Sequence, residues 1–431
     1  MKFILFSLAA LSLFTANGRA QTKLSLKESK ELALKNNYTI KNGQLTISAS
    51  EETKKAAVSA YFPKVDAMGL GIYAFNDFIS PIPGILPQGI DNVYAVSASA
   101  LQPIYMGGKI TTSNQLATLQ TDVSKTRLSM TTDSVVLETE QRYWQLITLN
   151  EQIKTLLVNE RYLDTLYKEL TDNLKAGLIA RNDLMRVKVQ RNEITLNKAK
   201  LRNARQLASM DFCRFIGIGY DPAIQLTDSI AVISDPKRWH ADADSVVKQT
   251  SEYKLLESNV RASKLQTELK RADYLPSLAV GVNVSKAGII DRGIGSTDWT
   301  PLAVGTLSIP ISGWWGEARH TLKEKKIREN IASNTLMDTE SLLKVRIAKA
   351  WYDLEEARLR VSLSEDNYKE AELNLRAVHD SYLSGLINLS DLLNAQAAWQ
   401  TSASQVVEAK GNFRSRLTFY RYVTRQLSAA D

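Results

Sequence analysis

The sequence of 431 residues holds a single cysteine, Cys213, and three histidines, His240, His320 and His379. One cysteine excludes an internal disulfide framework, and in an exported chain it reads as a buried, inert thiol. The histidines stand apart, with no cysteine or second histidine at metal-ligand spacing, so no metal or other cofactor is expected. Nucleophile-elbow and phosphate-loop patterns are missing too; the Gly-Ile-Gly triplets at Gly217 and Gly293 read as turns. These absences argue against an enzyme. Charge of one sign is also missing. The net charge is +8, yet Lys/Arg and Asp/Glu interleave along the chain without a basic block. Solvated helix faces account for that pattern, and no nucleic-acid site is expected. Beyond the first twenty residues no apolar run reaches spanning length, which excludes a membrane-crossing helix.

What is there begins with "MKFILFSLAALSLFTANGRAQ". An early Lys2, an apolar run from Phe3 to Ala16 and the small residues of Gly18-Arg19-Ala20 read as a secretory signal over residues 1–20, with mature protein from Gln21. No cysteine follows that site, so no lipid attachment point is offered.

The remainder is one unit written twice. "AGLIARNDLMRV" (176–187) returns as "SGLINLSDLLNA" (384–395), an offset of 385 − 177 = 208. The same offset pairs Gly108 with Gly316, Tyr143 with Trp351, Trp144 with Tyr352 and Leu146 with Leu354. Tyr61-Phe62-Pro63 pairs with Tyr274-Leu275-Pro276 at 274 − 61 = 213, which places indels in the loops between. Residues 21–216 form the first repeat, 217–243 a turn-rich linker and 244–431 the second repeat.

Each repeat follows one plan. A helical approach (Ser25 to Tyr61, Asp244 to Tyr274) ends at a proline, and period-two alternation follows. Met68, Leu70 and Ile72 alternate with Gly69, Gly71 and Tyr73; Leu278, Val280, Val282 and Val284 alternate with Ala279, Gly281, Asn283 and Ser285. Turn-rich loops come next, with Pro81, Pro83, Gly84, Pro87 and Gly89 in one repeat and Gly288, Gly293 and Gly295 in the other. Strands are expected over about 66–79, 92–102, 277–286 and 300–310, the second and fourth closed by Pro103 and Pro310. Past Gly108 and Gly316 large apolar residues recur every seven, at Leu354, Val361, Tyr368, Leu375 and Tyr382, with Ala357, Ser364, Ala371 and Val378 between them. The same frame in the first repeat is Leu146, Ile153, Glu160, Tyr167 and Leu174, with Leu149, Leu156, Leu163 and Leu170 between them. Such repeats specify coiled-coil packing. Each helix has 177 − 108 = 385 − 316 = 69 residues before the next tip glycine, on the order of 100 Å at ~1.5 Å per residue.

The repeated motif then falls at helix-to-helix hairpin tips, 177–183 and 385–391. Gly177 and Gly385 suit left-handed caps, while Asn182-Asp183 and Ser390-Asp391 supply a cap side chain and a first-turn carboxylate. Two apolar residues at each turn, Leu178/Ile179 and Leu386/Ile387, are not explained by capping. The strands, with aromatics at both ends (Tyr61, Phe62, Tyr105, Tyr274, Trp314 and Trp315; Tyr73, Phe75, Phe78, Tyr94 and Trp299), suit an outer-membrane barrel wall. Four strands cannot close one, and an open edge in lipid leaves backbone groups unpaired. Eight strands from two chains or twelve from three would both close.

This ordered set resembles the TolC family of outer-membrane efflux proteins over nearly the whole mature chain. It comprises the Tyr-x-Pro motifs, "PIYMGG" (103–108), "PISGWWG" (310–316) and the two Gly-Leu-Ile tips. The resemblance implies a mainly α fold with a small β part: long antiparallel coiled-coil helices forming an α-barrel, and four strands per chain entering a twelve-stranded barrel of a homotrimer. It further implies a place in outer-membrane lipid, reach into the periplasm, a periplasmic adaptor, and an inner-membrane pump of RND or ABC type. Gly177, Leu178, Ile179, Gly385, Leu386 and Ile387 would meet the adaptor. Asp391, with Asn394 and Asp183, would line the periplasmic constriction. Where double-ring members carry a second aspartate this chain has Asn394, so a weaker charge ring is expected. Export of small molecules is the leading expectation. The exit duct of type I protein secretion and a periplasmic coiled-coil scaffold without a lumen are the alternatives.

Overall fold

The computed structural model describes residues 23–84, 89–231, 234–289 and 298–427. The expected signal, Pro87, Gly293 and Gly295 lie outside the described residues. The elements in chain order are β1 (Lys23–Leu24), α1 (Leu26–Asn36), α2 (Tyr38–Val58), β2 (Lys64–Tyr73), β3 (Asn92–Met106), α3 (Lys109–Lys175) and α4 (Arg181–Ile216). They continue with β4 (Gln225–Leu226), α5 (Ala243–Val247), α6 (Ser251–Ala272), β5 (Ser277–Gly288), β6 (Thr300–Ser308), α7 (Glu317–Leu383) and α8 (Leu389–Val423).

Two compact units cut across the repeats. Among the described residues one gathers 23–38, 132–231, 234–242 and 346–427; the other gathers 39–84, 89–131, 243–289 and 298–345. Helices α3 and α7, each of 67 residues, take part in both. Neither contains a glycine or proline, so nothing in their sequences interrupts the hydrogen-bond ladder.

In the first unit the seam residues are where the seven-residue spacing puts them. Leu354, Ala357 and Val361 on α7 are buried, as are Leu156, Leu163 and Leu170 on α3. Near the tips these α3 residues join Leu166, Val187, Ile194, Leu375, Leu389, Leu392 and Leu393 in one apolar cluster. Asn159 lies between Leu156 and Leu163 on the same seam and is fully buried. Its amide bonds to Gln396 and Gln400 on α8, and Gln396 donates to Gln400 at 3.4 Å.

Elsewhere in this unit β1 pairs in parallel with β4, Lys23 against Gln225 and Leu24 against Leu226. The Tyr143 hydroxyl secures that junction by donating its one proton to the Asp228 carboxylate, with the Leu24 carbonyl 3.1 Å away as a second acceptor within reach. Asp228 also accepts from the Leu26 amide at 2.8 Å. Behind it, Lys30 meets Glu140 at 2.9 Å with both side chains out of water. Cys213 is buried, as expected.

The approach to β2 comes as two helices rather than one. Ser25 and Glu28 cap α1 reciprocally, and the extended backbone of Asn37 ends it. In the second unit β2, β3, β5 and β6 form an antiparallel sheet in that order. Strand β2 begins at Lys64 and stops at Tyr73, short of 79. The turn formers Asn76-Asp77 bend the chain there, leaving Ile79 a single bridge to Ile90. Strand β3 does not close at Pro103 but continues to Met106. The register shifts between Pro103 and Tyr105, an irregularity that accommodates a residue without an N–H. Strand β6 ends at Ser308, two residues before Pro310.

Register also corrects the sidedness of the wall. Met68 opposes Ser97, which opposes Ser285; Leu70 opposes Ala95, which opposes Ala287. Directly opposed residues share a face, so Met68, Leu70 and Ile72 lie with Asp66, Ser97, Ser99, Asn283 and Ser285. Val280, Val282 and Val284 lie on the other face, with Val65, Val96, Ala98, Ala100 and Leu307. The two apolar rows that the alternation picks out are therefore on opposite faces. Along β5 the apolar side is the open one: Leu278, Val280 and Val282 are exposed, and Ala279, Gly281 and Asn283 are half-buried.

Candidate functional site: two helix tips and an open sheet

The tips are built alike. Gly177 and Gly385 each adopt φ 73°, a left-handed conformation that a side chain would strain. The Gly177 amide donates to the Leu174 carbonyl at 3.0 Å and the Leu178 amide to Asn173 at 2.9 Å. Gly385 and Leu386 repeat the pattern on Tyr382 and Ser381, both at 3.0 Å. Each pair of bonds is the Schellman closure that satisfies the last carbonyls of a helix.

The returning helices start differently from expectation. Neither Asn182 nor Ser390 is the cap. Asn388 caps α8, its side-chain oxygen accepting from the Asp391 amide at 3.1 Å, whereas Ala180 precedes α4 with no side-chain cap. Asp183 and Asp391 remain first-turn carboxylates, placed where the positive end of the helix dipole favours them. The signal for Asn388 was available: an asparagine three residues before an aspartate at a helix start.

The predicted tip residues separate by exposure. Leu178 is 73% and Leu386 77% exposed; Ile179 and Ile387 are half-buried, and Ile179 packs on the apolar cluster. Asp391 and Asn394 are both exposed, one turn apart on α8. Asp183 is half-buried and lies close enough to Tyr382 to push that phenol upward, after the larger effect of burial. The two tips are tied directly, since Arg186 on α4 donates to the Ser390 hydroxyl. Sequence reasoning missed Arg186. The repeat offset held its signal, because 394 − 186 = 208 makes it the counterpart of Asn394.

The other candidate surface is the sheet. Strands β2 and β6 are its edges, and neither has a partner on its outer side among the described residues. Every residue of both strands is exposed. Their backbone groups are the kind that lipid does not tolerate unpaired, at a cost on the order of several kcal/mol each. Aromatics stand beyond both ends of this sheet, with Trp315 83% and Phe75 96% exposed. Among the described residues no helix is long and apolar enough to cross a membrane. None of them gather as three or more potential metal ligands either.

Continuous 67-residue helices, paired tips and an open antiparallel sheet define an envelope-channel architecture. The sequence profile of the outer membrane efflux protein family matches residues 30–217 and 255–418. The chain belongs to that family: it is an outer-membrane efflux channel reaching into the periplasm, and it is not an enzyme. The scaffold alternative is thereby overturned. No curated protein matches the chain by sequence. Solved structures share the fold at low identity. The Campylobacter jejuni CmeC outer membrane channel superposes with a TM-score of 0.78 at 16% identity, over 93% of this chain and 85% of that one. The open Neisseria gonorrhoeae MtrE channel gives 0.76 at 16%, over 94% and 90%. Vibrio cholerae VceC gives 0.76 at 13%, over 93% and 96%.

Proposed function

We propose that three copies of the chain pool their sheets into a twelve-stranded barrel and their helices into an α-barrel, forming the exit duct of a tripartite small-molecule efflux system. One observation carries this reading: a four-stranded antiparallel sheet with two open edges in an outer-membrane channel. β2 and β6 run antiparallel to each other, so β6 of one copy meets β2 of the next with the alternation preserved at every junction. The helices carry the same message. Tyr352, Leu359 and Leu373 on α7, and Val189 and Leu196 on α4, are exposed at spacings of seven or fourteen, and sister subunits would bury them.

At the tips Asp391, with Asn394 and Asp183, lines the periplasmic constriction. Leu178, Ile179, Leu386 and Ile387, on turns set by Gly177 and Gly385, meet a periplasmic adaptor whose inner-membrane pump, RND or ABC in type, supplies the energy. The 21–216 and 244–431 repeats each contribute one hairpin and one tip, joined by the 217–243 linker. Arg186 sets a positive charge one turn from Asp183, so the constriction carries opposed charges and weak cation preference is expected. Opening requires the tips to move outward, and the Arg186–Ser390 bond ties the two of one protomer so that they move together. Single-channel recording of the reconstituted protein tests this. Asp391→Ala should change conductance and ion preference together; the same traces as wild type would remove Asp391 from the constriction.

A further inference from the structure

The register of the sheet leaves an unexpected set of residues on its polar face. A lipid-facing surface must be apolar, because polar and charged groups there are destabilising. The face bearing Asp66, Ser97, Ser99, Asn283, Ser285, Thr306 and Ser308 is therefore the inner one. On the central strands β3 and β5 the middle of this inner face is small or polar at Ala95, Ser97, Ser99, Gly281, Asn283 and Ser285, with Leu101, which opposes Gly281, the one large apolar residue among them. On the two edge strands it is apolar. Strand β2 presents Met68, Leu70 and Ile72, and β6 presents Leu302 and Val304, because Leu302 opposes Asn283 and Val304 opposes Gly281. All five are exposed.

We propose that these five side chains form an apolar rib at each subunit junction, on the inside of the barrel, which takes the hydrocarbon part of amphipathic cargo. The inference rests on the trimeric-barrel reading, in which β6 of one copy lies beside β2 of the next. Three apolar ribs then alternate around the lumen with three mainly polar ones, each interrupted by Leu101. The only charged groups on the inner face of the four strands are Lys64 and Asp66, at the start of β2. The rib above them has no charge to repel an alkyl or aryl group, and contact there removes apolar surface from water on both partners. Nothing in the fold demands this pattern, since Ser or Thr at the same positions would build the same strand. The cargo class assigned is small organic ions and neutral amphiphiles whose apolar part spans several carbons.

The test is current block of the full mature channel in planar bilayers, with tetramethylammonium or tetrapentylammonium added on the side of the strand-connecting loops. The two ions carry the same charge, so charge cancels in the ratio of their blocking constants, and the change of that ratio from wild type to variant reads the apolar contact. The wild type should favour the longer ion. Met68→Ser/Leu70→Ser/Ile72→Ser should lower that ratio by about tenfold, the scale of losing contact with a few methylene groups. Ile72→Thr, which keeps the branched shape, should lower it by about twofold and decides the matter if the triple variant does not assemble. An unchanged ratio in the conducting variants overturns the rib while leaving the channel intact. A protein that passes no current either as wild type or with the tip bond removed by Arg186→Ala overturns the channel reading and the rib together.

Discussion

At the scale of single residues, two buried groups set the conditions under which the first unit holds together. Glu140 accepts from Thr418 at 2.7 Å and pairs with Lys30 at 2.9 Å, all inside the packed helices. Removing Lys30 leaves the Glu140 carboxylate with neutral hydrogen bonds from Thr418 and Trp144 but no opposite charge in contact to offset its desolvation. Lys30→Met should therefore destabilise by about 3–5 kcal/mol, and Lys30→Met/Glu140→Leu should recover most of the loss, read as thermal unfolding in detergent. The second group is Tyr162, on the apolar cluster near the tips. Burial, with Glu169 adding to it, pushes its phenol from 10.0 up to about 12. Its hydroxyl is buried with no hydrogen-bond partner among the described residues. A phenol harder to ionise when folded contributes stability that is whole below pH 10.0 and is lost as pH rises towards about 12. Tyr162→Phe should leave stability at neutral pH unchanged or slightly raised and make the alkaline decline shallower, the rest being carried by Tyr143, Tyr382 and Tyr420, whose phenols burial also pushes up, as followed by helix content against pH.

At the scale of elements, the long helices and their tips were legible in the sequence because their causes are local. Seven-residue spacing names the seam, and the Gly-Leu-Ile motif names the turn. The caps were less legible, since Ser390 and Asn388 are both good cap residues and only the chain path chooses between them. The sidedness of the sheet was not legible at all. Alternation shows which residues of one strand share a face, but the phase between strands is fixed by pairing with partners far along the chain. Met68, Leu70 and Ile72 thus pass for a lipid-facing row until they are set against Ser97 and Ser285. Near the tips the seam holds a buried polar interruption, the amide group of Asn159, Gln396 and Gln400. A buried polar residue at a seam fixes register at a cost in stability. Asn159→Ala should destabilise the hairpins by about 1–3 kcal/mol by stranding the Gln396 amide. Asn159→Leu/Gln396→Leu should restore most of the unfolding temperature, because it leaves only the amide of Gln400, which is half-buried and reaches water.

At the scale of the whole molecule, the sequence alone left two closures open, eight strands or twelve. The family and the fold identify an outer-membrane channel, and the observed strand order says what a closed wall requires of it. Among the described residues each copy brings two unpaired edges of opposite direction, and each copy carries helix faces with exposed apolar residues. In the proposed trimer the same neighbours would cover both. On that proposal a protomer on its own is an incomplete object in a membrane, and lumen and cargo path would arise at the junctions.

The most direct test of that claim is the protein mass of the mature chain extracted in mild detergent, measured with the detergent contribution subtracted. Three copies per particle, held without chemical cross-linking, are predicted. A particle containing one copy would contradict the account, because a single four-stranded sheet has no means of closing around a pore.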